Sequence, residues 1–577
     1  MRFALKIIIL KNGFKMLEAL KKSKHLFIVT FITFFLAFCY IRIYTVTELG
    51  GDFNKYILPA NMFGVPNALQ EKGLGTLYKL PNQCGWDGQF YYYISNDLLG
   101  VTDVPKHCDA DAYRYQRIGL PLLANIVAKV TFQDYTSPTV YYLVSLLLVL
   151  AATFFFAKFL SDRGYSPYWS LVWSLGLGTQ LTLLNGLPDA AADSLVILSL
   201  LAYLSNRYKV FSILILFAAL SREAFIIFPA MFLLQRMIIA YKERNFHIVS
   251  FLKNTLPLII PLIVFALWRL YLLNHFKLSP SEQSVGILGY PLVSFFKYLK
   301  LSLQSAHPLV PNGWSELGFL LYFFTLLLCT IITSWFIIQK IIHTKNIADP
   351  MLPVCGGFSV LVFLYLSFGD TVMMHYTGYM KASTIFFFVI ILYFVVLNKK
   401  IPLALILFFL LGLIVFNKAI LHRIHPSSIM NHAFETQPIN LSQYPTSVAC
   451  LKDFDYNVKI IAEKEMRDDN LMNEMVRKMI RYKTQKLITI ELFNTSIVKW
   501  PISKGKGTIN MSYQWLDHNN RVVRDGIRTS LPHEMNAGEH VVIDMIVAYP
   551  TKSENLILKF SPVQEGCSWF YANNKFK

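Results

Sequence analysis

Apolar runs of about twenty residues recur through the first 417 positions and then stop. Runs of that length match a hydrocarbon core about 30 Å thick. They occur at Leu26–Val46, Pro138–Leu160, Tyr168–Leu187, Thr255–Asn274, Leu317–Gln339, Pro353–Phe368, Met380–Leu397 and Ile401–Asn417. Three shorter runs lie at Ala190–Ser205, Val210–Leu220 and Ala224–Ala240. Only 15% of the 577 residues are charged, and the mean hydropathy is +0.44. A soluble domain carries about 25% charged residues. The expected fold is therefore a polytopic α-helical membrane body of about eleven transmembrane helices, residues 26–417, after a basic N-terminus at 1–25. A linker with a short helix is expected at 418–485, and a separate all-β domain at 486–577.

Basic residues set the direction. Before the first run stand Arg2, Lys6, Lys11, Lys15, Lys21, Lys22 and Lys24, against Glu18. Such an excess marks the cytoplasmic side. If the runs alternate, the inner loops hold Arg163, Arg207, Lys209, Lys242, Arg244, Lys253, Lys340, Lys345, Lys399 and Lys400. The net charge of +19 partly reflects these anchors, and no nucleic-acid partner is expected. The first run lacks a small-residue cleavage site and reads as a span, not a cleaved signal. The same alternation puts a long loop, 47–137, and the C-terminal domain on the outer side. Asp52, Asp87, Asp97, Arg114, Arg117, Asp189, Asp193, Arg222, Glu223, His307, Asp370 and His375 also fall there. Ionisable groups near a bilayer are costly and usually face a cavity or partner. Their shared side points to one polar site at the outer interface.

The first outer loop is the richest stretch. Asp87 lies between Gly85 and Gly88 and among aromatic residues, in Cys84-Gly-Trp-Asp-Gly-Gln-Phe-Tyr-Tyr-Tyr93. A carboxylate in such surroundings suits a general base. The competing reading makes Asp87 a helix N-cap and Tyr91–Tyr93 an interfacial aromatic belt. Gln89, Tyr92 and Tyr113 are neighbours that a sugar substrate would meet. Arg114 and Arg117, three apart, share a helix face, and their forks match a phosphate. Asp189 and Asp193, four apart after Pro188, should start a helix on one face, as cation or hydroxyl ligands or as favourable N-terminal charges. Arg222-Glu223 sits at a break between two short runs, either as a phosphate ligand or as a self-neutralising pair. No zinc-type spacing and no phosphate-cradling glycine loop occurs, and a divalent metal remains compatible with the acidic residues. Cys84 and Cys108 share the first outer loop, and Cys450 and Cys567 share the tail. In an oxidising compartment each pair is a disulfide candidate.

Beyond Lys418, alternating strand signals appear at Lys486–Phe493, Thr508–Leu516, Val541–Ala548 and Asn555–Val563, with turns at His518-Asn-Asn520 and Asn536-Ala-Gly538. Short strands with no helix between them point to an antiparallel sandwich. Residues 465–482 have helical character.

Several motifs together resemble a bacterial branch of the GT-C glycosyltransferases. They are Trp86-Asp-Gly-Gln-Phe-Tyr-Tyr92, Tyr113-Arg-Tyr-Gln-Arg-Ile118, Leu187-Pro-Asp-Ala-Ala-Ala-Asp193 and Leu220-Ser-Arg-Glu-Ala224. The Trp86-Asp87 pair is also similar to a GPI-mannosyltransferase pattern of that superfamily. The resemblance covers roughly residues 26–240. It implies a multi-span inner-membrane enzyme that takes a sugar from a polyprenyl-phosphate carrier on the outer face and passes it to a lipid-linked or surface glycan. It further implies a catalytic acid in the first outer loop, Asp87 with Asp52 second, although no Asp-x-Asp or Asp-Glu pair is present there. The tail motifs Ser512-Tyr-Gln-Trp-Leu-Asp517, Asp525-Gly-Ile-Arg528 and Glu565-Gly-Cys-Ser-Trp-Phe570 resemble an Ig-like module of cell-surface polysaccharide enzymes. Trp500, Trp515 and Trp569 there either bind glycan or fill the core. The alternatives are an oligosaccharide ligase or lipid-carrier transferase, a transporter or flippase, and an assembly protein anchored by its spans. A transporter should show internal repeats and midplane charges, and neither is found.

Overall fold

The computed structural model describes residues 2–48, most of 52–72, 86–243, 248–305, most of 331–406, 444–465 and most of 485–573. Among them, five helices are long and apolar enough to cross a membrane: Ser23–Val46, Pro138–Asp162, Glu223–Lys242, Val249–Phe276 and Gly378–Val396. The chain is thus a membrane-embedded helical protein with a C-terminal β region. Each of the five coincides with a run read from the sequence. Leu317–Gln339 and Ile401–Asn417 fall largely outside the described residues.

The remaining runs do not form spans of full length. Tyr168–Leu187 breaks at Leu175-Gly176 into a 3-10 turn, a short helix Leu171–Ser174 and helix Leu177–Leu184. The runs at 190–205, 210–220 and 353–368 become helices Asp189–Leu204, Tyr208–Ser221 and Met351–Leu366, of 16, 14 and 16 residues. At about 1.5 Å per residue the longest of these reach about 24 Å, short of the hydrocarbon thickness. Their apolarity serves burial instead. Helix Asp189–Leu204 is buried along nearly its whole length between helices Pro138–Asp162 and Tyr208–Ser221. Composition cannot separate a lipid-facing helix from one enclosed by other helices, because both are apolar all round.

The helical core is one continuous cluster that joins the first span, the first-loop helices and helix Thr384–Val396. Three aromatic residues of the loop, Tyr91, Tyr92 and Tyr93, belong to it. They are core residues here, not an interfacial belt. Two close approaches fix the loop on the body. Gly88 lies against the turn at Asn185-Gly186, where a Cβ would meet the Asn185 carbonyl oxygen. Gly119, at the start of helix Gly119–Val130, sits against Phe217 and Ser221. Only glycine permits such backbone contact.

The tail forms two antiparallel sheets. β1 (Tyr456–Glu465), β2 (Gln485–Asn494) and β6 (His540–Ala548) make the first, in the order β1-β2-β6. The second has β3 (Ile509–Leu516), β4 (Val522–Asp525), β7 (Ile557–Gln564) and β8 (Ser568–Trp569) in the order β4-β3-β7-β8, with β5 (Thr529–Ser530) paired to β3. Ile488, Ile490 and Leu492 of β2 share one buried cluster with Met511, Tyr513 and Trp515 of β3. β1 corrects the expected linker at 418–485: strand Tyr456–Glu465 belongs to the sheet, in register with β2 from Tyr456↔Asn494 to Glu465↔Lys486. Its mixed sequence hides it, since Lys459, Glu463 and Lys464 interrupt its apolar residues and Ile460 and Ile461 break the alternation. Most of the expected helix at 465–482 lies outside the described residues. Cys450 and Cys567 are joined by a disulfide. Trp500 and Trp515 fill the core, whereas Trp569 is half-buried beneath the Arg528 guanidinium.

Candidate functional site

The acidic and basic motifs of the helical body converge on one cavity of about 500 Å³. Asp87, Tyr113, Arg114, Arg117, Asp189, Arg222 and Glu223 all line it. They come from segments up to 136 positions apart, from Asp87 to Glu223. Asp87 opens helix Gly88–Ile94 but does not cap it, for its side chain makes no bond to the helix amides. It turns instead to Arg114, with Oδ1 3.1 Å from Nη2. Its side chain is 44% exposed to the cavity. Burial of the surrounding loop pushes the Asp87 carboxyl up. Arg114, with Lys381 and Arg117 behind it, overcomes that effect and holds the group below the usual carboxylate range. Asp87 therefore stays ionised.

The two loop arginines are committed to carboxylates. Arg114 gives Nε and Nη2 to Asp109 at 2.8 and 2.7 Å, a bidentate pair. Arg117 gives Nε and Nη2 to Glu223 at 2.9 and 2.8 Å. The Tyr91 hydroxyl accepts from both guanidinium groups, at 3.2 and 3.5 Å. This corrects the expectation that the two forks together clamp a phosphate, because the planar fork that would grip a phosphate is already filled. The Arg117–Glu223 pair ties the first loop to the break before helix Ile227–Glu243, which explains why Glu223 follows Arg222 at that break.

Arg222 has an extended backbone, φ −152° and ψ 110°, between helix Tyr208–Ser221 and the next turn. Its Nη1 stands 3.8 Å from both Asp189 Oδ1 and Asp193 Oδ1. Its Nη2 donates to the Ala382 carbonyl at 3.3 Å. Asp193 is fully buried and does not line the cavity. It accepts from the Thr384 hydroxyl, so it braces the Ala382–Thr384 segment and does not touch substrate space. Asp189, one helical turn earlier, does reach the cavity.

Other expected site residues lie elsewhere. Asp52 accepts the Asn54 amide at 2.9 Å in a short turn and is absent from the cavity wall. Gln89 is buried and donates to the Trp86 carbonyl at 3.1 Å. Tyr92 packs edge-on against Tyr141 in the core. Asp97 folds the loop by accepting from the Val101 and Thr102 amides. Asp370 pairs with Lys297. Cys108 is a free thiol whose burial pushes its pKa up, and its Sγ faces the Val104 carbonyl at 3.6 Å. The expected Cys84–Cys108 bridge involves Cys84, which lies outside the described residues. Cys84, His307 and His375 lie outside the described residues.

Two cations of the wall escaped the sequence reading. Arg269 projects from helix Ile248–Phe276, donating to Gln116 Oε1 at 2.7 Å and to Ser281 Oγ at 3.2 Å. Lys381 projects from helix Tyr376–Ala382. Each interrupts an apolar stretch, which was the available signal: a lone charge in a span usually faces a cavity. Much of the remaining lining is apolar. Leu361, Leu364 and Tyr365 of helix Met351–Leu366 join Phe368, Ile385 and Phe386 there. Tyr365 touches Phe368 and Phe386 edge-on at 6.0 and 5.4 Å, so this wall is continuous. Among the described residues, no group of three or more His, Cys, Asp or Glu side chains is placed to hold a metal ion. The arrangement can keep one carboxylate ionised beside Arg114 and Lys381 and next to an apolar surface. No family model matches the sequence, and no curated protein is similar to it.

Proposed function

We propose that the chain is a membrane glycosyltransferase of GT-C type. Its donor is a sugar on a polyprenyl phosphate, and its acceptor is a lipid-linked or surface glycan on the outer face of a bacterial inner membrane. The observation that carries this reading is the ionised Asp87 at the wall of a cavity whose lining joins cationic and apolar side chains. An amphiphile with a phosphate head matches both kinds of lining, and a free sugar nucleotide would leave the apolar residues unused.

The chemistry follows from the parts. Asp87 accepts the proton of an acceptor hydroxyl as that oxygen attacks the anomeric carbon. The bond from that carbon to the phosphate oxygen breaks, and the electron pair leaves on the carrier phosphate. The cationic wall stabilises the charge that grows there. One displacement inverts the anomeric centre, since no side chain becomes glycosylated. A carboxylate of lowered pKa is a weak base in the empty site. An anionic donor beside Lys381 and Arg117 offsets their pull and raises its basicity once bound. Asp189, which lines the cavity beside Arg222, is assigned to the sugar hydroxyls. The tail is read as an Ig-like module on the same outer face.

The test is mass spectrometry of surface glycan from a strain lacking this chain. The expected spectrum lacks one sugar residue, which returns with the wild-type chain and not with Asp87→Asn. A glycan unchanged by the deletion defeats the proposal. A cell-surface oligosaccharide missing as a whole block would favour the ligase reading instead.

A further inference from the structure

The helical body carries a second polar surface at the end away from Asp87. Helices Pro138–Asp162, Asp189–Leu204 and Thr384–Val396 finish there, and helices Tyr208–Ser221 and Met351–Leu366 begin there. Two pockets of about 160 and 400 Å³ lie between these ends. They adjoin, since Leu204 and Pro350 line both. The smaller holds Arg236 of helix Ile227–Glu243, and the larger holds Arg163, which follows helix Pro138–Asp162 directly. Among the described residues, no carboxylate lines either pocket. The nearby acids are engaged elsewhere. Asp162 pairs with Lys158 at 2.8 Å, and Asp349 pairs with Lys340 at 2.6 Å. Glu243 ends the helix of Arg236, about two turns further on. Against these, Arg207, Lys209, Lys399 and Lys400 are exposed on the adjoining turns. We infer that Arg163 and Arg236 bind the phosphate of an anionic membrane phospholipid in these adjoining pockets. The inference goes beyond the sugar-transfer reading and does not depend on it.

Both guanidinium groups are held in place with their forks open. Arg163 Cζ stands 3.6 Å from the centroid of the Phe159 ring. Stacking uses the face of the guanidinium plane and leaves the N–H donors at its edge available. Among the described residues, Arg163 has no carboxylate within ion-pair distance, and Arg236 meets the neutral Tyr203 hydroxyl. A planar fork matches two oxygens of one phosphate. The pocket wall is fixed from the other side by Gln235, whose amide donates to the Ile347 and Asp349 carbonyls at 2.6 and 2.7 Å. The apolar surroundings favour a lipid over a soluble phosphate. Leu234, Met237 and Ile238 flank Arg236 on its helix and are exposed, and Val395 and Val396 line the larger pocket. In a membrane-embedded body such side chains meet acyl chains, so a phosphate between the two forks has its lipid tails beside them. Basic pockets between membrane helices bind anionic head groups in this way. The excess of basic residues on these turns matches the inner leaflet, the side expected from the sequence.

The experiment is native mass spectrometry of the full-length chain from a neutral detergent. The probes are phosphatidylglycerol, phosphatidylcholine with the same acyl chains, and glycerol 3-phosphate. Wild-type protein should hold phosphatidylglycerol about tenfold more tightly than either of the others. Arg163→Gln and Arg236→Gln should each weaken phosphatidylglycerol by about tenfold, the size of one lost charge-assisted contact, and leave phosphatidylcholine unchanged. The control removes two charges of the same end from outside the pockets: Lys209→Gln with Lys400→Gln should change binding by less than about twofold. A loss in that control as large as in the arginine variants would mean a diffuse basic surface and overturn the assignment. Arginine variants that bind like wild type would overturn it too, as would equal affinity for the two phospholipids. Glycerol 3-phosphate held as tightly as phosphatidylglycerol would overturn the lipid as occupant. If the glutamine variants fail to fold, Arg163→Lys with Arg236→Lys decides, because stem and charge remain and only the fork is lost. That pair should bind phosphatidylglycerol about threefold more weakly or worse, and unchanged binding would refute the inference.

Discussion

Gly88→Ala probes the close approach that sets Asp87 in place. A Cβ at residue 88 would lie 2.0 Å from the Asn185 carbonyl oxygen and 3.1 Å from its carbon. Side-chain carbons essentially never come nearer than 3.0 Å to another heavy atom, so the start of helix Gly88–Ile94 must retreat by about 1 Å. The obstacle is backbone, which cannot rotate aside. Overpacking of this kind costs about 1–3 kcal/mol. The larger effect falls on the neighbouring carboxylate. Asp87 rides on that helix start, 3.1 Å from Arg114, and a misplacement of about 1 Å at a reacting group costs about a hundredfold in rate. Gly356→Ala is the control, since its Cβ meets only the flexible Met231 side chain at 3.4 Å, and alanine favours a helix interior. The assays are the thermal midpoint in nanodiscs and the initial rate of sugar transfer. Gly88→Ala should lower the midpoint modestly and the rate severely, whereas Gly356→Ala should lower neither. If the two variants behave alike, the docking of the first loop on the Asn185 turn does not position the site.

Asp87 makes a pH prediction of definite sign. Its folded pKa is depressed, so the carboxylate and its pairing with Arg114 persist above the ordinary value of about 3.9 and fail only as pH falls through the lower folded value. Its acid limb in the pH profile of kcat/KM, which reports the free enzyme, should therefore lie below about pH 4, and Arg114→Gln should move that limb upward; an unmoved limb refutes the pairing. In a double-mutant cycle, Arg117→Gln and Glu223→Gln should couple by about 0.5–3 kcal/mol in thermal stability, and strict additivity would refute the bidentate pair. Replacing Cys450 and Cys567 by serine releases a crosslink between positions 117 apart and should destabilise the tail by about 3–5 kcal/mol in denaturant unfolding, leaving the helical body's midpoint in place.

Much of the site could be read from residue order because its parts sit at breaks in apolar runs. Asp189, Arg222 and Glu223 each interrupt or flank such a run, Asp87, Arg114 and Arg117 share the long loop between two of them, and a charge there needs a cavity or a partner. Which partner each takes was not legible. The Arg117–Glu223 pair spans 106 positions, and local spacing carries no trace of it. The reading of Arg114 and Arg117 as a joint phosphate clamp failed for that reason: distant Glu223 and nearby Asp109 already fill the forks. Arg269 and Lys381 went unnoticed because each is a single residue with no motif around it. Helices such as Asp189–Leu204 read as spans because burial in protein and burial in lipid select the same residues. In the tail, strands with alternating apolar residues such as Ile488, Ile490 and Leu492 were legible, whereas β1 was not, because Lys459, Glu463 and Lys464 interrupt its apolar residues.

The most direct measurement follows the donor bond itself. Proteoliposomes containing the purified chain would be given a radiolabelled polyprenyl-phosphate sugar and a glycan acceptor, and the freed polyprenyl phosphate would be counted. Wild-type protein should release it only with acceptor present, and Asp87→Asn, with its fold intact, should slow release by about 10²–10⁴-fold. Release by Asp87→Asn at the wild-type rate, or a donor left whole by the wild-type protein, would contradict the account.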